Sequence, residues 1–450
     1  MNKNKLLLWS VVAALAGFIF GFDTVVISGA NLPIKELWHT TPLFHGFFIM
    51  SMALWGTVIG AIFGGIPTEK FGRKKVLLWI GILFSISAVG SAVSPDPYLF
   101  SFFRFIGGLG IGVSSVAAPT YISEISTAKT RGRLVGMYQF NIVFGILVAF
   151  FSNYLLKGFD GANDWRWMLG VMAIPSLIYT LLVFSVPESP RWLISVKNDL
   201  AKAREILVLI GADNPDEEMK NIMAANEAIQ AGGNNGQLLS KKYRTVLWIA
   251  FFVAFFNQWS GINFILYYAP EILEQAGLAA KESLGNSIAI GGTNLVFTFV
   301  GLYLIDRIGR KQLLIIGSLG YIISLAAVAW SFYAHAGNTF LLVSLMAFIA
   351  SHAIGQGAVI WVLISEIFPN NVRALGQSFG ASVHWVFAAL ITLITPLFLD
   401  KESGIFGDNP WPIFAFFSFM MVLQLIWVLT KVPETRGISL EDLEKKLVHE

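Results

Sequence analysis

Two charged side chains stand inside long apolar stretches of the sequence. Asp23 lies in FIFGFDTVVISGA (18–30), and Arg104 lies in FFRFIGGLGIG (102–112). A charge at the centre of a bilayer is costly and usually faces a charged partner or a water-filled cavity. Burial favours a neutral carboxyl group, whereas a nearby guanidinium favours the charged one, so such a pair can bind and release a proton. We therefore predict that Asp23 and Arg104 are partners, either in a static ion pair or in a proton-binding site.

The elements that hold these side chains are predicted to be membrane-spanning helices. The chain has 450 residues, of which 55% are hydrophobic and only 13% charged, whereas an average soluble domain has about 25% charged residues. Helices are expected because a helix satisfies its own backbone in lipid. Asp23 and Arg104 are the only charged residues well inside the predicted spans. Twelve apolar segments of suitable length occur, at 6–30, 44–66, 75–94, 98–121, 132–157, 166–186, 245–270, 283–305, 312–335, 339–366, 372–398 and 411–430.

Charge placement predicts the orientation. Twelve spans put both termini on one side, and most of the 31 Lys and Arg residues flank the spans on that side. By the positive-inside rule, both termini are expected in the cytoplasm. The net charge of +3 does not favour a nucleic-acid partner, and the absence of cysteine excludes disulfides and thiolate metal sites.

The sequence contains an internal repeat. EKFGRKK (69–75) is echoed by DRIGRKQ (306–312), YISEI (121–125) by LISEI (363–367), and VPESPR (186–191) by VPETR (432–436). A duplication of six helices is typical of transporters whose halves rock around a central site. We predict an N-terminal six-helix bundle at 1–186, a linker of short cytoplasmic helices at 187–244, a C-terminal bundle at 245–431 and a cytoplasmic tail at 432–450.

The motifs resemble those of the sugar porter family of the major facilitator superfamily. They are GGIPTEKFGRKK, FFRFIGGLGIG, PTYISEISTAKTRGRL, PESPRWL, NQWSGINFILYYAP, IDRIGRK, WVLISEIFPNNVRA and PETRG. The resemblance implies an all-α membrane protein in the cell (inner) membrane, monomeric and with no cofactor. It implies import of a monosaccharide, a hexose or a pentose, by proton symport through alternating access. A facilitative uniporter of the same fold is the alternative, a transporter-like sugar sensor is a remote one, and no enzymatic activity is expected.

The resemblance also implies site residues. An Asp at the position of Asp23 marks proton-coupled members, in which it pairs with an Arg at the position of Arg104. Side-chain amides can bind sugar hydroxyls, and aromatic faces can cover the apolar side of a sugar ring. Departures from the family pattern include Asn257 in place of Gln and His384 in place of Gln or Asn, and the roles of His384, His352 and Gln356 stay open. The substrate-binding candidates are Phe20, Gln139, Asn257, Gln258, Asn263, Tyr267, Asn294, Trp361, His384 and Trp385.

A charge network at the cytoplasmic helix ends is implied as well. It is expected to hold the cytoplasmic side shut when the protein opens outward, and the alternative is that these residues are solvated loops and topology signals. Its predicted members are Glu69, Arg73, Glu124, Arg131, Glu188 and Arg191 in the first half, and Asp306, Arg310, Glu366, Arg373, Glu434 and Arg436 in the second.

Overall fold

The computed structural model describes residues 3–126, 130–212, 214–231, 238–369, 372–438 and 440–447, and within these ranges it contains helices and no β-strand. Among the described residues, eleven helices are long and apolar enough to span a membrane, and a helix pair bent by 44° makes a twelfth. The predicted all-α membrane fold is therefore confirmed. The spans are α1 (Lys3–Trp38), α2 (Pro42–Met50 with Met52–Phe63), α3 (Arg73–Val93), α4 (Pro97–Ile125), α5 (Arg131–Leu156), α6 (Gly161–Val183), α7 (Lys241–Gln275), α8 (Ala280–Ile308), α9 (Arg310–Tyr333), α10 (Asn338–Ile367), α11 (Arg373–Leu399) and α12 (Trp411–Lys431).

Local chemistry explains where helices begin and break. At the start of α4, Asp96 Oδ1 accepts hydrogen bonds from Tyr98 N and Leu99 N at 2.9 and 3.0 Å, and Pro97 follows it. A capping carboxylate followed by proline is a strong helix start. Gly261 has φ of +86° and interrupts α7, while Gly355 interrupts α10.

The helices pack as two similar halves. In the first half α1 lies against α4 and α5, α2 against α4, and α3 against α4 and α6. In the second half α7 lies against α11, α8 against α10, and α9 against α10 and α12. The halves meet where α5 packs on α8, α2 on α11 and α1 on the second part of α7. Residues that project from these six helices are therefore placed between the halves.

Short helices join the two halves, as predicted for the fold. Leu200–Ile210 begins at Asp199, which accepts a hydrogen bond from Lys202 N at 3.1 Å, and it contacts α1. Pro215–Ala231 follows it. The polar residues 232–237 of the predicted linker lie outside the described residues. After α12, the tail helix Leu440–Leu447 contacts α10.

Candidate functional site

Asp23 and Arg104 form a buried ion pair between α1 and α4. Arg104 Nη1 donates to Asp23 Oδ1 at 2.5 Å, and Nη2 donates to the backbone oxygen of Asp23 at 3.3 Å. The side chains are 0% and 1% exposed. The pair is only half satisfied, because Asp23 Oδ2 and Arg104 Nε are buried without a partner among the described residues. A bidentate pair would use both carboxylate oxygens, so this one keeps an oxygen free for another ligand.

A cluster of amides surrounds the break in α7. Asn263 Nδ2 donates to Gln258 Oε1 at 2.9 Å, and Gln258 Nε2 donates to Asn257 Oδ1 at 3.0 Å. The ring nitrogens of His384, from α11, lie 3.2 and 3.3 Å from Gln258 Nε2. The break at Gly261 lets Gln258 and Asn263, which belong to different parts of α7, meet in one cluster. The cluster offers both donors and acceptors, as recognition of hydroxyl groups requires.

Aromatic rings line the same place. The ring centroid of His384 lies 4.9 Å from that of Trp361 and 4.8 Å from that of Trp385. Trp385 also contacts Phe20 of the first half, with 5.7 Å between centroids. Trp361 remains 38% exposed, so protein does not cover it completely. Tyr267, 1% exposed, lies within electrostatic range of Arg104 and Asp23.

Two further predicted amides lie on helices that pack together across the interface between the halves. Gln139 lies on α5 and Asn294 on α8, and these helices pack together across the interface. Within the described chain, neither side-chain amide makes a hydrogen bond to protein, and neither has a fully buried unpaired atom. Both amides are therefore available to a ligand.

The predicted charge network forms two matching units. In the first half, Arg73 donates from Nε and Nη2 to both oxygens of Glu124, at 2.9 and 2.7 Å. Glu188 accepts from Arg73 N at 2.9 Å and from Lys74 N at 3.2 Å, and so caps the start of α3. Burial raises the pKa of Glu188, although the backbone N–H groups that it binds oppose the shift.

The second unit repeats this geometry. Arg310 donates to both oxygens of Glu366, at 3.1 and 2.8 Å, and Glu434 accepts from Arg310 N and Lys311 N at the start of α9. Asp306 joins it through Arg310 Nη1 at 3.1 Å. In both units the capped helix follows a glycine with positive φ, Gly72 at +95° and Gly309 at +104°.

Five of the twelve predicted network side chains make no described hydrogen bond or ion pair to the residues of these two units. Glu69 and Arg191 are exposed, Arg131 and Arg373 bind backbone oxygens of Ser123 and Phe368, and Arg436 contacts Glu434 through its backbone. Each described hydrogen bond or ion pair of the twelve predicted network residues joins two residues of the same half. In this state the units brace each half, and closure of one half on the other by them remains a prediction.

Sequence reasoning did not single out Glu271. Glu271 lies in the second part of α7, is 8% exposed and accepts a hydrogen bond from Asn31 Nδ2 at 2.6 Å. It stands one residue beyond the predicted span 245–270, because the helix continues to Gln275. The polar residues after YYAP were the available signal.

Comparison with known proteins identifies the family. The model of the family described as "Sugar (and other) transporter" matches residues 9–447. The chain belongs to this family. The resemblance to the sugar porters of the major facilitator superfamily is thus confirmed. The arabinose-proton symporter of Bacillus subtilis (strain 168) is 34% identical, with 99% of this chain and 95% of the relative covered. The D-xylose-proton symporter of Escherichia coli (strain K12) is 33% identical, with 98% and 96% covered.

A solved structure agrees with the fold of this sugar transporter. The xylose transporter XylE from E. coli, in a partially occluded inward-open conformation, superposes with a TM-score of 0.85 at 30% identity. The match covers 97% of this chain and 100% of that one. The multi-pass membrane architecture is therefore common to both proteins.

Proposed function

We propose that the protein imports a monosaccharide, a hexose or a pentose, together with a proton by alternating access. The observation that carries the proposal is the half-paired Asp23 beside the amide and aromatic cluster. Two relatives named as arabinose-proton and D-xylose-proton symporters support the same assignment. The chemistry requires a carboxyl group that can change protonation and a neighbouring site that can bind hydroxyl groups.

The proton site is Asp23. Arg104 stabilises the carboxylate through one oxygen, and the free Oδ2 can receive a proton when water reaches it. Protonation removes the charge that holds Arg104, so the contact between α1 and α4 weakens. Tyr267, which interacts with the pair, connects this change to α7.

The sugar site lies between the halves. Gln258, Asn263 and Asn294 from the second half and Gln139 from the first supply amides, and Trp361 and Trp385 supply aromatic faces. Asn257 and His384 position Gln258, and Phe20 packs on Trp385. Because both halves supply side chains that bind the sugar, sugar binding favours closure of the two halves around it.

The moving units that we propose are 1–186 and 245–431, joined by 187–244, with 432–450 as the tail. We place both termini in the cytoplasm, from the Lys and Arg distribution, and the monomer in the cell membrane. We assign the present state as inward-facing. One described hydrogen bond and one ion pair between the halves join the C-terminal part of α1 to α7 and to the end of α11. The charge network joins no residue of one half to the other.

Transport in proteoliposomes tests the proposal. Purified protein is reconstituted, and uptake of labelled hexoses and pentoses is measured with and without an inward proton gradient. We expect the gradient to drive accumulation of the preferred sugar above its external concentration. Uptake that equilibrates but never accumulates supports the facilitative uniporter, and absence of uptake for every sugar contradicts a transporter of monosaccharides.

The variant Asp23→Asn isolates the proton site. An amide cannot carry the proton, so we expect gradient-driven accumulation and sugar-induced proton uptake to fall to background. Counterflow exchange should survive, since it needs only the sugar site. Asp408→Asn, an exposed position, is the control and should behave like the wild type. Undiminished proton uptake by Asp23→Asn would refute the assignment of Asp23.

A further inference from the structure

Four side chains on the extracellular side form a continuous chain of hydrogen bonds. Thr40 Oγ1 lies 2.8 Å from His45 Nδ1, His45 Nε2 lies 2.7 Å from Asn31 Oδ1, and Asn31 Nδ2 lies 2.6 Å from Glu271 Oε2. The first three residues belong to α1, α2 and the turn between them, and Glu271 belongs to α7. The chain therefore crosses from the first half to the second.

The amide of Asn31 fixes the direction of the chain. Its Nδ2 donates to Glu271 Oε2, and its Oδ1 can only accept, so it accepts from His45 Nε2. Nε2 of His45 then donates to Asn31, and Nδ1 accepts from the hydroxyl of Thr40. All three bonds run toward the carboxylate, an arrangement in which each bond polarises the next.

These groups are withdrawn from water in this state. Asn31 and His45 are each 2% exposed, and Glu271 is 8% exposed. An ion pair between Lys35 of α1 and Asp400, at the end of α11, crosses the same interface. The backbone of α2 at Gly46 also lies against α11 at Leu393. The extracellular ends of the halves are thus held together by polar contacts backed by close helix packing.

We propose that the contact of Asn31 with Glu271, supported by His45, is an extracellular latch between the halves, which must open before sugar enters from outside. The inference rests on the proposed alternating access. Opening separates Asn31 from Glu271 and exposes both to water, which replaces their hydrogen bonds. Because a hydrogen bond to a charged group changes an equilibrium by only roughly tenfold to a hundredfold, such a latch is reversible.

Distances between spin labels on the two halves test the latch. The natural chain has no cysteine, so Glu36→Cys in the first half and Asp408→Cys in the second, both at exposed positions, can be labelled without background. Double electron–electron resonance on the full chain in nanodiscs gives the populations of short and long distances. These correspond to the closed and open extracellular side.

Three variants on this labelled chain separate a latch from a general packing role. Asn31→Ala removes the contact, and we expect the ratio of open to closed to rise about tenfold. Glu271→Gln keeps an oxygen that accepts from Asn31 and buries no charge, so its ratio should not rise. Asn153→Ala is the matched control, because Asn153 donates to the backbone of Val26 at 3.1 Å within the first half. It should lower thermal stability and leave the distances unchanged.

The outcomes decide the proposal. A rise for Asn31→Ala that is absent for Asn153→Ala supports the latch, and an unchanged ratio for Asn31→Ala overturns it. A rise of equal size for Asn31→Ala and Asn153→Ala also overturns it, since loosening in general would then explain both. The distances are read without sugar or proton gradient. A failure of the proposed symport is seen separately, as absence of uptake by the unlabelled wild type in proteoliposomes.

Discussion

At the residue scale, His384 joins the amides and the aromatic rings of the proposed sugar site. Its ring nitrogens contact the amide of Gln258, and its ring packs beside Trp361 and Trp385. It therefore orients an amide that we propose as a ligand of sugar hydroxyl groups, and it also spaces the aromatic faces. A side chain in this position controls the shape of the site as well as its hydrogen bonds.

We expect His384→Gln to change which sugar is preferred. Glutamine can still bond to Gln258 but lacks a ring to pack between the indoles, so the space beside Trp361 widens. The gain or loss of one hydrogen bond to the sugar changes a binding constant by a factor of roughly three to ten. We expect the ratio of the apparent KM values for a hexose and a pentose to change by this factor. Ser382→Ala is the control, because Ser382 lies on the same helix and donates to the backbone oxygen of Ser378. Identical KM ratios in wild type and His384→Gln would assign His384 to helix packing alone.

Sequence analysis could identify charged residues whose burial is visibly costly within a single apolar segment. Asp23 and Arg104 were detectable because each interrupts an apolar run, and the structure places them in contact. Glu271 and His45 lie near the ends of such runs, where charged and polar residues are common and unremarkable. Their burial depends on the approach of α1, α2 and α7, which no local pattern encodes.

At the element scale, two glycines set the starts of α3 and α9. Gly72 and Gly309 have positive φ and no side chain to cap the helix that follows. The cap comes instead from Glu188 and Glu434, which bind the first N–H groups of each helix and lie against the glycine. Negative charge at a helix N-terminus is also favoured by the helix dipole. The repeat thus preserves a cap supplied from a distant segment.

We expect Gly72→Ala to destabilise the protein by at least 1 to 2 kcal/mol, roughly the strain of positive φ in a residue with a side chain. A Cβ at this position would lie 2.3 Å from Glu188 Oε2 and displace the cap. The midpoint of thermal unfolding in detergent measures the loss. Gly136→Ala is the control, since nothing lies within 4 Å of a Cβ there and its φ is ordinary, so it should be neutral or stabilising. Equal midpoints for Gly72→Ala and wild type would contradict the role of this cap.

Helix identity was predictable from apolar length, but helix ends and breaks were not. The twelve predicted segments match the twelve spans, yet α1 runs to Trp38 instead of residue 30 and α7 to Gln275 instead of residue 270. Hydropathy ends where the lipid ends, whereas a helix continues as long as its side chains pack or are solvated. The break in α10 falls at Gly355, which the sequence did not distinguish from its neighbour Gly357.

At the scale of the whole molecule, polar contacts between the halves are distributed unevenly. Asn31 meets Glu271 and Lys35 meets Asp400 at the helix ends that we place on the extracellular side. The charge units, which we place on the cytoplasmic side, stay within their own halves. A rigid-body rocking motion that brings the charge units of the two halves together would therefore separate the contacts at the opposite ends. In alternating access only one side is open at a time. Holding one side closed should therefore keep the protein from closing the other.

A cross-link over the extracellular side should stop transport while leaving sugar binding from the cytoplasmic side intact. Glu36 and Lys401 are exposed neighbours of the pair Lys35–Asp400, and both interact with Glu274. We expect Glu36→Cys/Lys401→Cys, bridged by a short bifunctional thiol reagent, to lose uptake and counterflow by at least tenfold.

A reductant should restore both activities, and either single-cysteine variant treated with the reagent is the control. Sugar binding to the bridged protein, measured by calorimetry in detergent, should persist with an affinity within a few fold of the unbridged protein, because the state that we propose leaves the site open to the cytoplasm. Continued transport by fully bridged protein would show that the extracellular ends need not separate, and loss of binding would show that the closed extracellular side does not leave the site open to the cytoplasm.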